Sequence, residues 1–488
     1  MISMKRLRKT GKPFVFDIKR ILLVGTAVYM VLIVAFYFLA GEQLRIRNSR
    51  GNIAMRPPES TIGELTAGIV LEQSFSAKIQ RMESVSVQWT TYGRPDVGTL
   101  TVELVRAADG ARLMWGLYDV STLADYQYVT IAPEKPLEDV YDAPLILRVY
   151  ADSPAGAAGS LAICAKDPDR DYTMTHNGNP VDCTLCFAAS GTDRIWIGLH
   201  YWKFAVILWA LLALVPLTVW LRLRAGKRSY INNALVALHK YRFLIRQLVS
   251  RDFKTKYKRS ILGVFWSFLN PLMMMLVQYY VFSTIFKNDV PHFAAYLIIG
   301  SVMFNFFSES VGMSLTSILG NAGLITKVYM PKYIYPLTRV LSSLVNLLIS
   351  LIPMLIVCLF TGVQFQKSAV LALYFMLCLV IFSLGIGLVL STSMVFFRDT
   401  QFLWNVMNMM WMYATPIFYP ETILPDNLRV VLNFNPLYHF IRNTRICILD
   451  GISPEPMVYI QCMLIALGAI LVGAIVFQRN QDKFVLYL

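Results

Sequence analysis

The chain has 488 residues, of which 56% are hydrophobic and 15% charged, with a formal net charge of +15. Soluble proteins carry nearer a quarter of their residues as charges, which excludes a soluble enzyme. The segment from Gly41 to His200 holds 14 basic and 20 acidic residues, a net −6, and leaves +21 to the remainder. A basic membrane part and an acidic soluble part are thus joined in one chain, and the positive total does not imply nucleic acid.

Residues 1–20 form a basic N-terminus with Lys5, Arg6, Arg8, Lys9, Lys12, Lys19 and Arg20 against the single acid Asp17. The first apolar run, Ile21 to Ala40, matches the roughly 20 residues a helix needs to cross about 30 Å of hydrocarbon. It is longer than the apolar body of a signal peptide, and Phe38-Leu39-Ala40 lacks the small residue of an A-x-A-like cleavage site. An uncleaved anchor is expected.

Residues 41–200 follow, and from about Phe75 to Ala165 they alternate with period two. Examples are Val85 to Trp89, Leu100 to Val105, Tyr126 to Ile131, Leu145 to Tyr150 and Leu161 to Cys164, separated by turns such as Ala108-Asp109-Gly110. This spacing predicts an all-β sandwich. Its Tyr- and Trp-rich strands resemble jelly-roll modules that bind carbohydrate, a likeness of architecture alone. Trp89, Tyr92, Trp115, Tyr118, Tyr126 and Tyr128 are candidates to stack on sugar rings; the plainer reading is that Trp89 and Trp115 fill the core. Cys164, Cys183, Cys186 and His176 form a set chemically adequate for zinc. In an oxidising compartment a disulfide among the three cysteines is the favoured expectation, so no metal is assigned.

A second span, at residues 201–221 with its uncharged run from Phe204 to Leu221, leads into Arg222 to Arg259, which holds twelve basic residues and one acid, Asp252. The positive-inside rule makes this segment and the N-terminus cytoplasmic and the acidic insert extracytoplasmic. Within residues 230–259, Leu235, Leu238, Tyr241, Ile245, Leu248 and Val249 recur at helical spacing among Lys and Arg. A basic amphipathic helix lying in the cytoplasmic interface is expected from Asn232 to Arg259, its cations among lipid headgroups. Arg251, Asp252, Lys254, Tyr257 and Arg259 are its candidate substrate-loading residues.

Six further runs follow: Ser260 to Phe286, Phe293 to Ser317 interrupted only by Glu309, Val340 to Gln366, Ser368 to Phe397, Thr400 to Pro420 and Met457 to Gln478. Eight spans in all put both termini on the cytoplasmic side. Leu248 to Trp266 with Leu269-Asn270-Pro271-Leu272 resembles the opening of polysaccharide-export permeases of the ABC-2 type. Asn321 to Pro336, Phe396 to Thr400, Thr415 to Pro420, and Asn435-Pro436-Leu437 with Arg442 and Arg445 continue the likeness in order. The resemblance covers about residues 230–488 and implies a mainly α polytopic permease with a six-helix core at 260–488. The first two spans and the sandwich are additions to the family plan. It further implies a homodimer, a separate nucleotide-binding subunit carrying ATP and Mg, and a lipid-linked O-antigen, teichoic acid or capsule glycan as cargo.

On that reading the loop from Gly320 to Tyr335 docks on the ATPase, with Leu324, Ile325 and Tyr329 as knobs and Lys327 and Lys332 at the rim. An apolar cytoplasmic loop without a partner would be a liability. Pro416, Pro420, Pro425 and Pro436 break the helix, so residues 415–450 read as a re-entrant hairpin, tolerated at membrane depth only against protein or a polar cavity. Tyr279, Tyr280, Phe282, Trp411, Tyr413, Phe418 and Tyr419 are candidate pore rings, although aromatic belts are normal in any membrane protein. Glu309 should face the bundle interior, touching substrate or, more economically, locking helices by a hydrogen bond while protonated. Met273 to Met275 and Met407 with Met409 and Met410 read as adaptable packing.

No G-x-x-x-x-G-K-[ST], G-x-S-x-G or H-E-x-x-H motif is present. The chain itself is therefore expected to carry neither catalytic machinery nor cofactor. Two other readings stay open: an ABC-2 exporter of small lipophilic compounds, and a membrane-anchored glycan-binding protein.

Overall fold

The structure, a computed structural model, describes residues 18–50, 58–166, 172–225, 230–256, 261–286, 291–327 and 330–487. Tyr257, Arg259 and Tyr329, and most of the basic N-terminus, lie outside the described residues. The chain divides into two compact units, Arg45–Leu199 and the residues that flank it on both sides.

Arg45–Leu199 is the expected all-β unit, with two sheets whose strand pairs are antiparallel. Strand Arg81–Thr90 lies between Phe187–Arg194 and Ser160–Ala165 in the larger sheet. The smaller sheet runs Asn179–Val181, Thr173–His176, Val70–Ser76, Pro144–Ala151, Thr99–Arg106 and Arg112–Asp119. Alternation sets which residues turn inward: along Pro144–Ala151 the residues are alternately open and buried. Leu71, Phe75, Val87, Leu147 and Phe187 join one core between the sheets. Trp89 lies in that core with no exposed surface, whereas Trp115 is 50% exposed. Sugar stacking by Trp89 is therefore corrected: the ring has no free face.

The second unit is helical. We label its main helices α1 (Ile18–Ala40), α2 (Tyr201–Arg224), α3 (Tyr230–Lys240), α4 (Arg242–Lys256), α5 (Phe265–Phe286), α6 (Phe293–Leu315), α7 (Ile334–Phe360), α8 (Ala372–Phe396), α9 (Thr400–Ala414), α10 (Pro436–Arg445) and α11 (Pro456–Asn480). The single amphipathic helix expected over Asn232 to Arg259 is two helices, α3 and α4, meeting at Tyr241. The i to i−4 bonds continue across that point, from Tyr241 N to Ala237 O (2.8 Å) and from Ile245 N to Tyr241 O (2.9 Å).

Six described helices are long and apolar enough to cross a membrane, against the eight expected. Helix α5 has 22 residues but is diluted by Ser267, Asn270, Pro271 and Gln278. Helix α9 has 15 residues, about 22 Å of rise, which is short of a full hydrocarbon core. Its apolar run continues to Pro420 in sequence, but Pro416 removes a backbone donor and the helix ends at Ala414.

Helix α6 is the centre of the bundle, buried along most of its length. Helices α8 and α11 pack tightly at Gly385 and Gly473. A Cβ on either glycine would run into the other helix's backbone, the small-residue route to tight helix packing in lipid. The added hairpin of α1 and α2 is held together by Tyr201 Oη donating to Ile33 O (2.8 Å) and Tyr29 Oη donating to Ala205 O (2.6 Å). It shares the permease core through Ala40, Leu44 and Tyr201, with Phe36 edge-on to Tyr459 at 4.9 Å.

The two tryptophans separate core from surface. In the isolated 45–199 unit, Trp89→Ala should lower stability by about 3–5 kcal/mol, as for large aromatic truncations in packed cores. Trp115→Ala should stay within about 0.5–1 kcal/mol. Urea unfolding followed by circular dichroism reads both; equal losses would contradict the assignment.

Candidate substrate route

Two polar constructions interrupt the apolar helical unit. The first gathers on α4. Asp252 is nearly buried and holds two guanidinium groups, Arg251 Nη2 at 3.1 Å and Arg339 Nη1 at 3.0 Å. Arg251 also donates to Asn321 Oδ1 (3.2 Å), and Asn321 in turn donates to Ser317 O (2.7 Å). One carboxylate thereby joins α4, the loop after α6 and the start of α7.

One turn further along α4, Lys256 Nζ lies 3.0 Å from Glu309 Oε2 on α6, and Asn346 Nδ2 of α7 donates to Glu309 Oε1 (2.6 Å). Glu309 therefore does lock helices, but as half of an ion pair, not as the protonated hydrogen-bond donor expected from sequence. These groups border a cavity of about 620 Å³ lined by Arg251, Asp252, Thr255, Lys256, Glu309 and Arg339 among others. Three cations against two carboxylates leave it net positive. Lys254 is exposed on the same helix and outside this lining.

The loop after α6 folds as a turn of helix, Ala322–Ile325. Leu324 and Lys327 are exposed, while Ile325 packs half-buried against the cluster of Ile318, Ile334 and Tyr335. Lys332 is not at a free rim. Its ammonium donates to Gln481 O and lies 5.8 Å over the Phe484 ring, tying the loop to the C-terminal segment.

The second construction satisfies the backbone where α9 stops. Asn435 caps α10 by accepting from Leu437 N (3.1 Å), and Pro436 occupies the first turn, where its missing donor is harmless. The same side chain donates to Thr415 Oγ1 (2.9 Å) and accepts from Trp411 Nε1 (2.9 Å), so the cap staples the two helices. At the far end of α10, Arg445 is buried and donates to three carbonyls: Tyr296 O (2.9 Å), Pro416 O (2.7 Å) and Ile417 O (2.9 Å). Its guanidinium stacks 3.4 Å from the Tyr296 ring centroid. Gly300 is required beside it, since a Cβ there would collide with the guanidinium. Tyr296 Oη donates to Tyr419 O (2.9 Å), completing the cover of the exposed backbone.

The candidate pore rings do not act as one set. Tyr279, Tyr280 and Tyr413 are exposed. Trp411 packs on Phe307 at 5.2 Å, and Phe418 is buried with Phe282 stacked on it at 5.6 Å and 4°. Phe418 is buried and Trp411 and Phe282 are half-buried against neighbouring rings, so these three are corrected to packing residues. Tyr419 is half-buried, its hydroxyl on Tyr413 O (2.8 Å).

In the β unit, Tyr92 is exposed on the loop after Arg81–Thr90, and Trp115 is exposed on Arg112–Asp119 with Arg112 5.0 Å over its ring. Tyr118 is half-covered and donates to Thr130 O; Tyr126 and Tyr128 are exposed. No disulfide joins Cys164, Cys183 and Cys186 in the structure, against the expectation. The register opposes Cys164 to Thr184 and Cys183 to Ala165, which turns Cys164 and Cys183 to opposite faces. Cys164 and Cys186 share a small buried cluster, and burial pushes the Cys186 thiol up to about 12. Among the described residues no three His, Cys, Asp or Glu side chains gather as a metal set.

Arg339, Asn346 and Arg445 carry much of this geometry, and sequence reading gave them no role. A polar residue inside an apolar run was the available signal for Asn346, and a lone cation at the start of that run for Arg339.

A helical membrane bundle with a cation-rich cluster at one end and a stapled helix break defines a polytopic transport protein. Residues 244–449 match the family model described as ABC-2 type transporter. The O-antigen export system permease protein RfbA of Klebsiella pneumoniae is 30% identical over 245 residues, 49% of this chain and 93% of that protein. Its namesake from Myxococcus xanthus is 29% identical over 249 residues, 51% of this chain and 96% of the relative. The polysialic acid transport protein KpsM of Escherichia coli is 24% identical over 246 residues, 49% and 93% of the two chains. The chain belongs to the ABC-2 type transporter family, among its polysaccharide-export permeases. The β unit and hairpin are additional to the length its relatives share with it.

Each buried carbonyl left without a donor costs about 1–3 kcal/mol, and a lysine cannot reproduce the fork that serves three of them. Arg445→Lys should therefore lower the melting temperature of the purified permease by several degrees and reduce its yield. A thermal-shift measurement with an unchanged midpoint would contradict the clamp.

Proposed function

We propose that this chain is the transmembrane subunit of an ABC transporter that exports lipid-linked polysaccharide across the cytoplasmic membrane. ABC-2 permeases work with a separate ATP-binding subunit, which here would dock on the loop around Leu324 and Lys327. The observation that carries the reading is the Asp252 junction. It fastens the amphipathic helix α4 to both the docking loop and α7 beside a net-positive cavity. A movement of the loop driven by ATP would reach that cavity through two charge-assisted contacts, which are stronger and more directional than neutral ones.

The cavity chemistry suits the phosphate of a lipid-linked glycan. Arg251, Lys256 and Arg339 offer the positive field, while the amphipathic stripe of α3 and α4 lies where the lipid portion would partition. Two copies of the permease would complete one conduit, with α9 at their boundary. All but its Thr400, Trp404, Asn408, Trp411 and Met412 side is exposed. The exposed rings of Tyr279, Tyr280 and Tyr413 would meet sugar along this route. Charge asymmetry supports cytoplasmic termini and an extracytoplasmic β unit, whose exposed Trp115 and Tyr92 would contact glycan. Catalysis belongs to the ATPase subunit and not to this chain.

Lys327→Glu and Leu324→Asp should each lower polymer export at least tenfold while the permease stays in the membrane and the ATPase subunit still hydrolyses ATP. Surface polymer measured by immunoblot alongside phosphate release reads both. Undiminished export in both variants would sink the docking assignment.

A further inference from the structure

A second cavity, of about 560 Å³, lies behind the helix break and is distinct from the α4 cluster. It falls in the size range of small-molecule sites, about 300–1,000 Å³. Its walls include the rings of Tyr296 and Tyr438, the planar polar groups of Glu421, Arg442 and Asp450, and the apolar side chain of Ile452. Glu421 is positioned twice over: it accepts from the Tyr438 hydroxyl and pairs with Arg442 Nε at 3.1 Å. Arg442 in turn lies 5.8 Å from the Tyr438 ring centroid. This binds the turn Glu421–Ile423 to α10 across the break.

The charge balance selects a ligand class. Arg445 also borders this space, but its guanidinium is committed to three carbonyls and the Tyr296 ring. With its charge included, the wall sets Glu421 and Asp450 against Arg442 and Arg445, no net charge with His292 counted as neutral, so it offers no excess positive field to a phosphate or uronate. A wholly apolar ligand would bury those charges without hydrogen bonds, at a cost of several kcal/mol. A neutral sugar satisfies both halves of the wall. Its C–H face would lie on the Tyr438 ring, while its hydroxyls donate to carboxylates and accept from the Arg442 guanidinium.

We propose that this cavity is a glycan subsite of the permease, taking a neutral pyranose unit of the polymer at the helix break. The inference rests on the polysaccharide-export reading and adds to it a place where the chain is held near the end of its route.

The test uses the full chain purified with its ATPase subunit in nanodiscs. The probes are diazirine-bearing mannotetraose, galactotetraose and rhamnotetraose, with cross-links mapped by mass spectrometry. At least one neutral probe should label residues 436–452. Ile452→Trp, which fills the cavity from a half-exposed position, and Asp450→Asn should each reduce that labelling at least tenfold. Unlabelled neutral sugar should compete, and an oligosialic acid tetramer should not. No labelling of this segment by any neutral probe, labelling that survives both variants, or equal competition by the acidic sugar would overturn the proposal. The two variants act by size and by charge, so a folding failure in one leaves the other to decide. Export measured in the same cells separates the two ideas. Polymer export with no labelling refutes the subsite alone, whereas export that persists without the chain refutes the reading beneath it.

Discussion

A backbone that leaves its helix in apolar surroundings must find new donors for its carbonyls, and the geometry after α9 follows from that need. Arg445 meets it with one planar group directed at Tyr296, Pro416 and Ile417. Once that group is placed, neighbouring features become obligatory. Gly300 must lack a side chain, Tyr296 must supply a ring face, and α10 must begin at a capped Asn435-Pro436 to aim its last turn inward. The break then holds a cavity open at its back and ends α9 well short of a full crossing.

The cluster on α4 solves the complementary problem at the other polar construction. There the charges are mutual: Asp252 serves two arginines, and Glu309 serves Lys256 and Asn346. Removing one partner from so buried a group would leave its charge uncompensated, which is strongly destabilising. The same contacts connect the amphipathic helix with the loop after α6, so on the proposed reading stability and transmission share residues. The C-terminal segment joins this arrangement through Lys332 and Gln481.

Much of the plan is legible in the sequence because its signals are local. Apolar runs mark the long helices, period two marks the sandwich, and the separated motifs from Leu248 to Arg445 mark the family. What escapes is set by packing across distance. Trp411 and Phe418 look like pore rings by composition, yet they pack against Phe307 and Phe282. Trp89 and Trp115 are alike in sequence and opposite in exposure, because strand register alone decides which faces inward. Glu309 reads as a lone intramembrane acid until α4 brings Lys256 beside it. Six described helices against eight expected spans differ at α5, diluted by polar residues, and at α9, ended by proline, where a run of letters looks longer and more apolar than the helix it forms.

On the proposed reading, this permease carries a polar polymer on a lipid anchor past these two polar constructions. Deleting the gene and asking which leaflet of the cytoplasmic membrane holds the lipid-linked polymer tests this most directly. Without the chain, polymer should accumulate in the cytoplasmic leaflet, protected from externally added glycosidase in spheroplasts and restored to the outer side by the intact chain. Polymer that still reaches the outer leaflet at the normal rate without the chain would contradict it.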